Sequence, residues 1–422
     1  MRKSKFLSVL TATTLALTLA VPTVMPLELT TGVVKAVEVT TTAPSQKIEG
    51  RCGDNAFYSY DEATRTLKIS GTGALWNGIK FLHLGKVDKV VIGNGITVIS
   101  TGAFAKMFVG RITIPKTVRT VEPYAFSSVV KVVVEGDMNN FQCGALGEEV
   151  LEVELKGSAE TLGLALAKMQ YRNYLSVTIP KDNNRVRIEN GCIVSSDGKT
   201  VYYHISDSKK VTIPDTAVTI KSAAFYRQGI EEVKLGKNVK TIEPYAFAEN
   251  PVSELTTNSK LKKIGRCAFK ETNLKKVTLK SSVAMSPKAF DQKVILTSTK
   301  SLKSAKTVMT SATFKKNKIN AKFAKLTGAK GYQVQIKKGG KTYKYFTTKT
   351  SIKVKAPKVF KKKYNVSFSY DIDNYTSKIE GKPAYISVRP YKIVKKNKKS
   401  YGKWSEKIVL TKNMRERFYF WK

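Results

Sequence analysis

The stretch Val239-Lys240-Thr241-Ile242-Glu243-Pro244-Tyr245-Ala246-Phe247 nearly duplicates Val118-Arg119-Thr120-Val121-Glu122-Pro123-Tyr124-Ala125-Phe126. Its closing Ala-Phe pair recurs at Ala103-Phe104, Ala125-Phe126, Ala224-Phe225, Ala246-Phe247, Ala268-Phe269 and Ala289-Phe290, with Phe-to-Phe intervals of 22, 99, 22, 22 and 21. Apolar residues stand eight and five positions before the phenylalanine, as at Ile96 and Ile99, Val118 and Val121, and Val239 and Ile242. Twelve positions before it a short run ends, as in Val90-Val91-Ile92, Ile112-Thr113-Ile114, Val211-Thr212-Ile213 and Val233-Lys234-Leu235.

An alternating triplet is a strand whose outer two side chains face a core. Pro115, Pro180 and Pro214 follow their triplets and end the strand, since proline has no N–H to give to a ladder. A 22-residue unit cannot bury its apolar face alone, so the period predicts stacked coils, a mostly β solenoid. Strand ends continue through Val134, Leu155 and Ile179, and a 34-residue step then leads to Ile213. The long step leaves room for a hairpin at about 186–205, turned by Asp197-Gly198 between Cys192-Ile193-Val194 and Thr200-Val201-Tyr202-Tyr203. Ala-Phe is missing from residues 127–175.

Residues 51 to about 292 resemble the BspA-like leucine-rich repeats of bacterial surface proteins. The resemblance lies in Glu122 to Phe126 and Glu243 to Phe247, in Asn190-Gly191-Cys192 through Thr200, and in a leader that begins Cys52-Gly53-Asp54-Asn55. It implies a curved solenoid with a role in adhesion or protein recognition, and it implies no catalysis.

The C-terminal part is built differently. Gly331 to Ile336, Lys341 to Thr347, Ser351 to Val354 and Tyr385 to Val388 alternate polar and apolar residues, and Gly339-Gly340 makes a tight turn. Such strands suggest a β-sandwich. Gly328-Ala329-Lys330-Gly331-Tyr332 and Tyr401-Gly402-Lys403-Trp404-Ser405 resemble elements of fibronectin type III-like domains of Gram-positive exoproteins, with Phe323 where a core Trp is expected and an insertion at 360–382. The expected organisation is a signal peptide at 1–36, a leader or cap at 37–75, a leucine-rich-repeat solenoid at 76–292, a linker at 293–312, a fibronectin type III-like sandwich at 313–412 and a tail at 413–422.

Arg2, Lys3 and Lys5 precede an apolar stretch from Phe6 to Val21, the pattern of an export signal. Val34-Lys35-Ala36 fits a cleavage site, with cleavage after Ala20 the alternative. A secreted or cell-surface protein with no membrane span after cleavage is expected, and no sortase-type sequence is seen at the C-terminal end. Export permits disulfides, yet Cys52, Cys143, Cys192 and Cys267 lie far apart and lack metal-ligand spacing, so buried thiols and bridges both stay open.

The net charge of the 422 residues is +42. From Ser301 onward 33 Lys and Arg stand against five acidic residues, a net +28. A field of one sign attracts anionic polymers and fades with salt. With only two histidines, His83 and His204, and no nucleotide-binding or nucleophile-elbow motif, no catalytic set, metal site or cofactor is expected.

Binding residues are expected in two places. Strand residues between the buried positions should point out of the concave sheet: Thr113, Thr178, Thr212, Lys234, Thr256 and Thr278, beside Lys89, Arg111, Lys131, Lys210 and Lys276 two positions earlier. Loop clusters Lys361, Lys362, Lys363 and Lys395, Lys396, Lys398, Lys399 near tyrosines could hold polyanions. The leading expectation is an adhesion or binding protein that recognises a protein or glycan partner through its repeats. The alternatives are a structural protein whose basic module holds anionic cell-wall polymer and, remotely, an exported enzyme; no specific nucleic-acid partner is expected.

Overall fold

A computed structural model describes residues 47–78, 81–169, 174–291, 293–360, 367–371, 376–380, 382–394 and 397–410. The expected export signal at 1–36, the tail, and Lys361, Lys362, Lys363, Lys395 and Lys396 lie outside the described residues.

The repeat strands form where the periodicity puts them. Val87–Ile92, Phe104–Ile114, Phe126–Val134, Glu149–Leu155 and Ser176–Thr178 pair in parallel, one after another. The leader supplies an antiparallel meander, Lys47–Arg51, Gly53–Asp61 and Thr66–Leu75. Its last strand then runs parallel to the first coil, Leu67 opposite Val90 and Ile69 opposite Ile92. The meander thereby covers the apolar end that a terminal coil would leave exposed.

The inserted hairpin does not continue this sheet. Val186–Glu189, Cys192–Ser195 and Thr200–His204 begin a second sheet, joined in parallel by the two-residue strands Thr219–Ile220, Thr241–Ile242, Lys263–Ile264 and Ala284–Met285. The first face restarts as Lys210–Thr212, Glu232–Lys234 and Glu254–Thr256, and again as Lys276–Leu279 and Ile295–Ser298.

The Ala-Phe pair has a backbone reason. The residue before it is left-handed in coil after coil: Gly102 (φ 71), Tyr124 (φ 57), Ala223 (φ 55), Tyr245 (φ 59), Cys267 (φ 53) and Lys288 (φ 63). That turn lets the Phe N–H donate to the Ala carbonyl one coil on, as from Phe104 to Ala125 (2.7 Å), Phe225 to Ala246 (2.8 Å) and Phe247 to Ala268 (2.9 Å). A non-glycine residue there costs about 1–2 kcal/mol, offset by this rung and by burial of the pair. The Glu of the Glu-Pro-Tyr-Ala-Phe element reaches back one coil: Glu243 Oε2 accepts from Ser222 N and Oγ (both 3.1 Å), and Glu122 Oε2 from Thr101 N and Oγ1 (2.9 and 3.0 Å).

The phenylalanines stack face to face. Phe225, Phe247, Phe269 and Phe290 follow at centroid spacings of 4.7, 5.2 and 5.2 Å, and Phe81, Phe104 and Phe126 at 5.3 and 5.2 Å. The stretch without Ala-Phe keeps the same register with leucine. Gly144 (φ 69) precedes Ala145-Leu146, whose Leu N–H donates to Ala165 of Ala165-Leu166 at 3.2 Å. All four residues are buried, and Leu162–Ala165 winds into a single helical turn.

No linker separates the C-terminal part. Within residues 293–312, read above as a linker, Ile295–Ser298 is a strand of the solenoid face and Met309–Lys315 opens the next module. Lys325–Leu326 pairs parallel to Ile295–Ser298, and Ala305, Val308, Ala324 and Leu326 join the solenoid core. Besides a separate antiparallel pair, Ser367–Asp371 with Thr376–Glu380, the module has two antiparallel sheets around one core. One contains Met309–Lys315, Lys318–Phe323 and Ser351–Lys355; the other contains Lys341–Thr347, Gly331–Lys338, Ala384–Ile393, Lys399–Tyr401 and Ile408–Leu410. Gly339 and Gly340 take positive φ in the expected tight turn, and Phe323 is fully buried against Tyr332. The four cysteines are buried and none forms a disulfide; burial pushes the Cys52 thiol up to about 11 and Cys192 up to about 12.

Candidate binding face

Parallel pairing places residues about one coil apart in a row across the coils. One row runs Thr66, Lys89, Arg111, Lys131, Glu152, Ser176, and the next runs Lys68, Val91, Thr113, Val133, Glu154, Thr178. The structure thus brings Lys89, Arg111, Thr113, Lys131 and Thr178 onto one sheet. Lys210, Thr212, Lys234 and Thr256 share a second sheet, and Lys276 and Thr278 a third. The single ladder expected from the sequence is therefore three segments, and the hairpin, whose strands join the other sheet, separates the first from the second. The seam between the second and third segments is spanned by Thr257 Oγ1, which donates to the Thr278 carbonyl at 2.6 Å.

The charges within the rows are not equivalent. Lys131 pairs with Glu152 (2.7 Å) and Glu154 (2.9 Å) and is partly buried. Its hydrogen bonds to Glu152 and Glu154 raise its pKa, and the Lys131 hydrogen bond holds the Glu154 carboxyl below the usual range against the opposing effect of burial. Lys210 pairs with Glu232 at 2.7 Å. Lys89, Arg111, Lys234 and Lys276 are exposed and, among the described residues, have no ion-pair partner.

Two features of this face were not read from the sequence. Val133, between Thr113 and Glu154 in its row, is only 1% exposed. Beside the charged row lie exposed apolar side chains: Phe108 is 58% exposed and Leu151 44%, and with Val130 and Ser128 they line a shallow depression. The signal was strand length. Phe104–Ile114 has 11 residues and Phe126–Val134 has 9, against three in Lys210–Thr212.

On the C-terminal module, Lys398 and Lys399 are exposed. Lys399, expected in a loop, starts a strand opposite Ile393. Its Nζ lies 4.7 Å from the Phe346 ring centroid and 5.5 Å from that of Tyr391. Arg389 is held between Tyr401 (4.0 Å) and Trp404 (4.5 Å), and its Nε donates to Gln333 at 2.8 Å. Among the described residues no cluster of three His, Cys, Asp or Glu could hold a metal, and no helix is long and apolar enough to cross a membrane. His83 is exposed beside Tyr58, and His204 is buried.

Coils of about 22 residues, each with a parallel strand and an Ala-Phe or Ala-Leu turn that fills a stacked core, define a leucine-rich-repeat type of solenoid. The chain belongs to the BspA type leucine rich repeat region family, whose model matches in six copies over residues 45–138 and 196–320. Two solved structures are similar. The pneumococcal vaccine antigen PcpA is 12% identical with a TM-score of 0.34, over 60% of this chain and 82% of that one. A leucine-rich repeat protein from Eubacterium ventriosum is 15% identical with a TM-score of 0.36, over 64% and 87%. No curated protein matches the chain.

Proposed function

We propose that this is a secreted or cell-surface adhesion protein of a Gram-positive bacterium. Its recognition surface is the outward face of the sheet from Val87 to Thr178, and its partner is a protein or a glycan. Family membership supports the surface role. The observation that carries the choice of face is an exposed apolar group, Phe108 and Leu151, beside the unpaired cations Lys89 and Arg111. Apolar anchors flanked by charge are the composition of recognition surfaces, and lone solvated strands do not need them.

The test is a protein and glycan array probed with the full chain and with Phe108→Ser/Leu151→Ser. Loss of the captured partner in the double variant, with an unchanged thermal melt, supports this face. Capture that ignores the double variant moves recognition elsewhere.

A second reading keeps the repeats as scaffold and gives wall retention to the basic C-terminal module, which we place in the fibronectin type III-like class. It is favoured by the +28 charge from Ser301 and by Lys399 over Phe346 and Tyr391. Retention on purified wall polymer at low salt and release near 1 M would support it, since the screening length falls to ~3 Å there.

A further inference from the structure

Where the first sheet stops and the inserted hairpin begins, the turns that follow the strands enclose a cleft of about 620 Å³. It spans three coils and the entry to the hairpin. Lys116 and Arg119 come from one turn, Glu135, Asp137 and Asn139 from the next, and Lys156 from the third, with Asn184 and Arg185 forming the far wall. The wall is fixed in place. Asn183 Nδ2 donates to the Leu155 carbonyl (2.7 Å), Asn183 Oδ1 accepts from Arg185 N (2.7 Å), and Arg185 reaches Asp137 Oδ2 at 2.9 Å. The floor is built from backbone at Gly136 and Gly157. A Cβ on Gly157 would meet the Gly136 carbonyl at 2.2 Å, so the turns touch through their main chains.

The cations divide into two kinds. Arg185 is committed to Asp137, and Lys156 lies 3.9 Å from Glu135. Lys116 and Arg119 are exposed and have no ion-pair partner among the described residues. Val118 is the sole apolar side chain of the lining and is itself 4% exposed, so the cleft offers no pocket for an apolar peptide side chain. The carboxylates of Glu135 and Asp137 on the same wall oppose a polymer with a phosphate on every unit. They, with the amides of Asn139 and Asn184, suit a ligand that offers several hydroxyls and a single acid group.

We propose that this cleft binds an acidic saccharide, its sugar carboxylate held by Lys116 and Arg119 and its hydroxyls by Asn139, Asn184 and Glu135. The volume is within the range of small-ligand sites, and a charge-assisted pair with arginine supplies the strongest single contact. The site is separate from the Phe108 and Leu151 face and does not depend on it.

The experiment titrates the full chain by calorimetry with 3′-sialyllactose and a glucuronate-terminated disaccharide, against lactose and inorganic phosphate. The expected result is binding of at least one acidic saccharide, and none of lactose or inorganic phosphate. Lys116→Gln/Arg119→Gln should weaken that binding tenfold or more, with an unchanged circular dichroism melt, while Phe108→Ser leaves it intact. Binding of neither acidic saccharide, equal binding of lactose, stronger binding of inorganic phosphate, or wild-type affinity in the double variant would each overturn the proposal.

Discussion

His204 occupies a phenylalanine position in the core stack: its ring centroid lies 5.3 Å from that of Phe225, and its backbone N–H donates to Ala224 at 3.1 Å as each phenylalanine N–H does to the next coil. Nδ1 meets Gln228 Oε1 at 3.0 Å, and Gln228 Nε2 returns a bond to the His204 carbonyl at 3.1 Å. The hairpin thus starts the second stack with a ring that can be both apolar on its face and satisfied at its edge.

Burial lowers the His204 pKa, more than the Gln228 bond and Asp207 raise it. The unfolded chain, with an ordinary value of about 6.5, then binds the proton first. The contribution of a neutral His204 is fully present above about pH 6.5 and is lost as pH falls below it. His204→Phe removes the partner of Gln228 Oε1 and should cost about 1–3 kcal/mol at pH 7.5, a deficit that shrinks toward pH 5. Urea melts across that range check it; parallel pH profiles would contradict it.

Phe247 and Phe269 sit 5.2 Å apart at an interplanar angle of 7°, with neither exposed. Either Phe→Ala change should cost about 3–5 kcal/mol and loosen the flanking coils first. Hydrogen exchange should show faster opening of Thr219–Ile220 through Ala284–Met285 than of the Val87–Thr178 sheet. Uniform loss of protection would argue against coil-by-coil coupling.

Asn250 is 1% exposed and every polar atom of its side chain is used. The two N–H groups of Nδ2 are shared among the carbonyls of Phe225 (2.6 Å), Phe247 (3.0 Å) and Ala248 (3.1 Å), and Oδ1 accepts from Gln228 N (2.8 Å) and Ile230 N (3.1 Å). Asn250→Ala strands several buried backbone groups and should cost about 3 kcal/mol or more. Asn250→Asp should be no better, since a carboxylate cannot donate. Chemical denaturation of both variants decides, and a loss under about 1 kcal/mol would mean water replaces the side chain.

Lys131 pairs with Glu152 and Glu154, both on the neighbouring strand Glu149–Leu155. In Lys131→Met the Glu154 titration, followed by NMR, should move upward. The depressed carboxyl stabilises the fold above its unfolded value of about 4.3, and that contribution is lost as pH falls through the lower folded value. The variant should therefore be less stable at pH 7 by about 1 kcal/mol and approach the wild type below pH 3. A Glu154 that titrates unchanged would show that the pair is a bystander.

The sequence alone determined the coil. A period of 22, a β-branched triplet and an Ala-Phe pair can be satisfied only by stacking, because each unit's apolar face needs a neighbour. Strand positions from Val90 to Leu279, the Asp197-Gly198 hairpin and the Gly339-Gly340 turn were legible for the same reason: each is local chemistry. The Ala145-Leu146 and Ala165-Leu166 coils were hidden because leucine replaces the diagnostic ring while filling the same space. Tertiary structure alone decided which sheet the hairpin joins, and hence that Thr178 and Thr212 lie on different sheets. It alone divided residues 293–312 between the solenoid, through Ile295–Ser298, and the next module, through Met309–Lys315. It also decided which cations are spent, Lys131 on Glu152 and Glu154, and which remain unpaired, Arg111 among them. Pairing between strands and between charges depends on distance across coils, and a sequence fixes that distance only once the chain is folded.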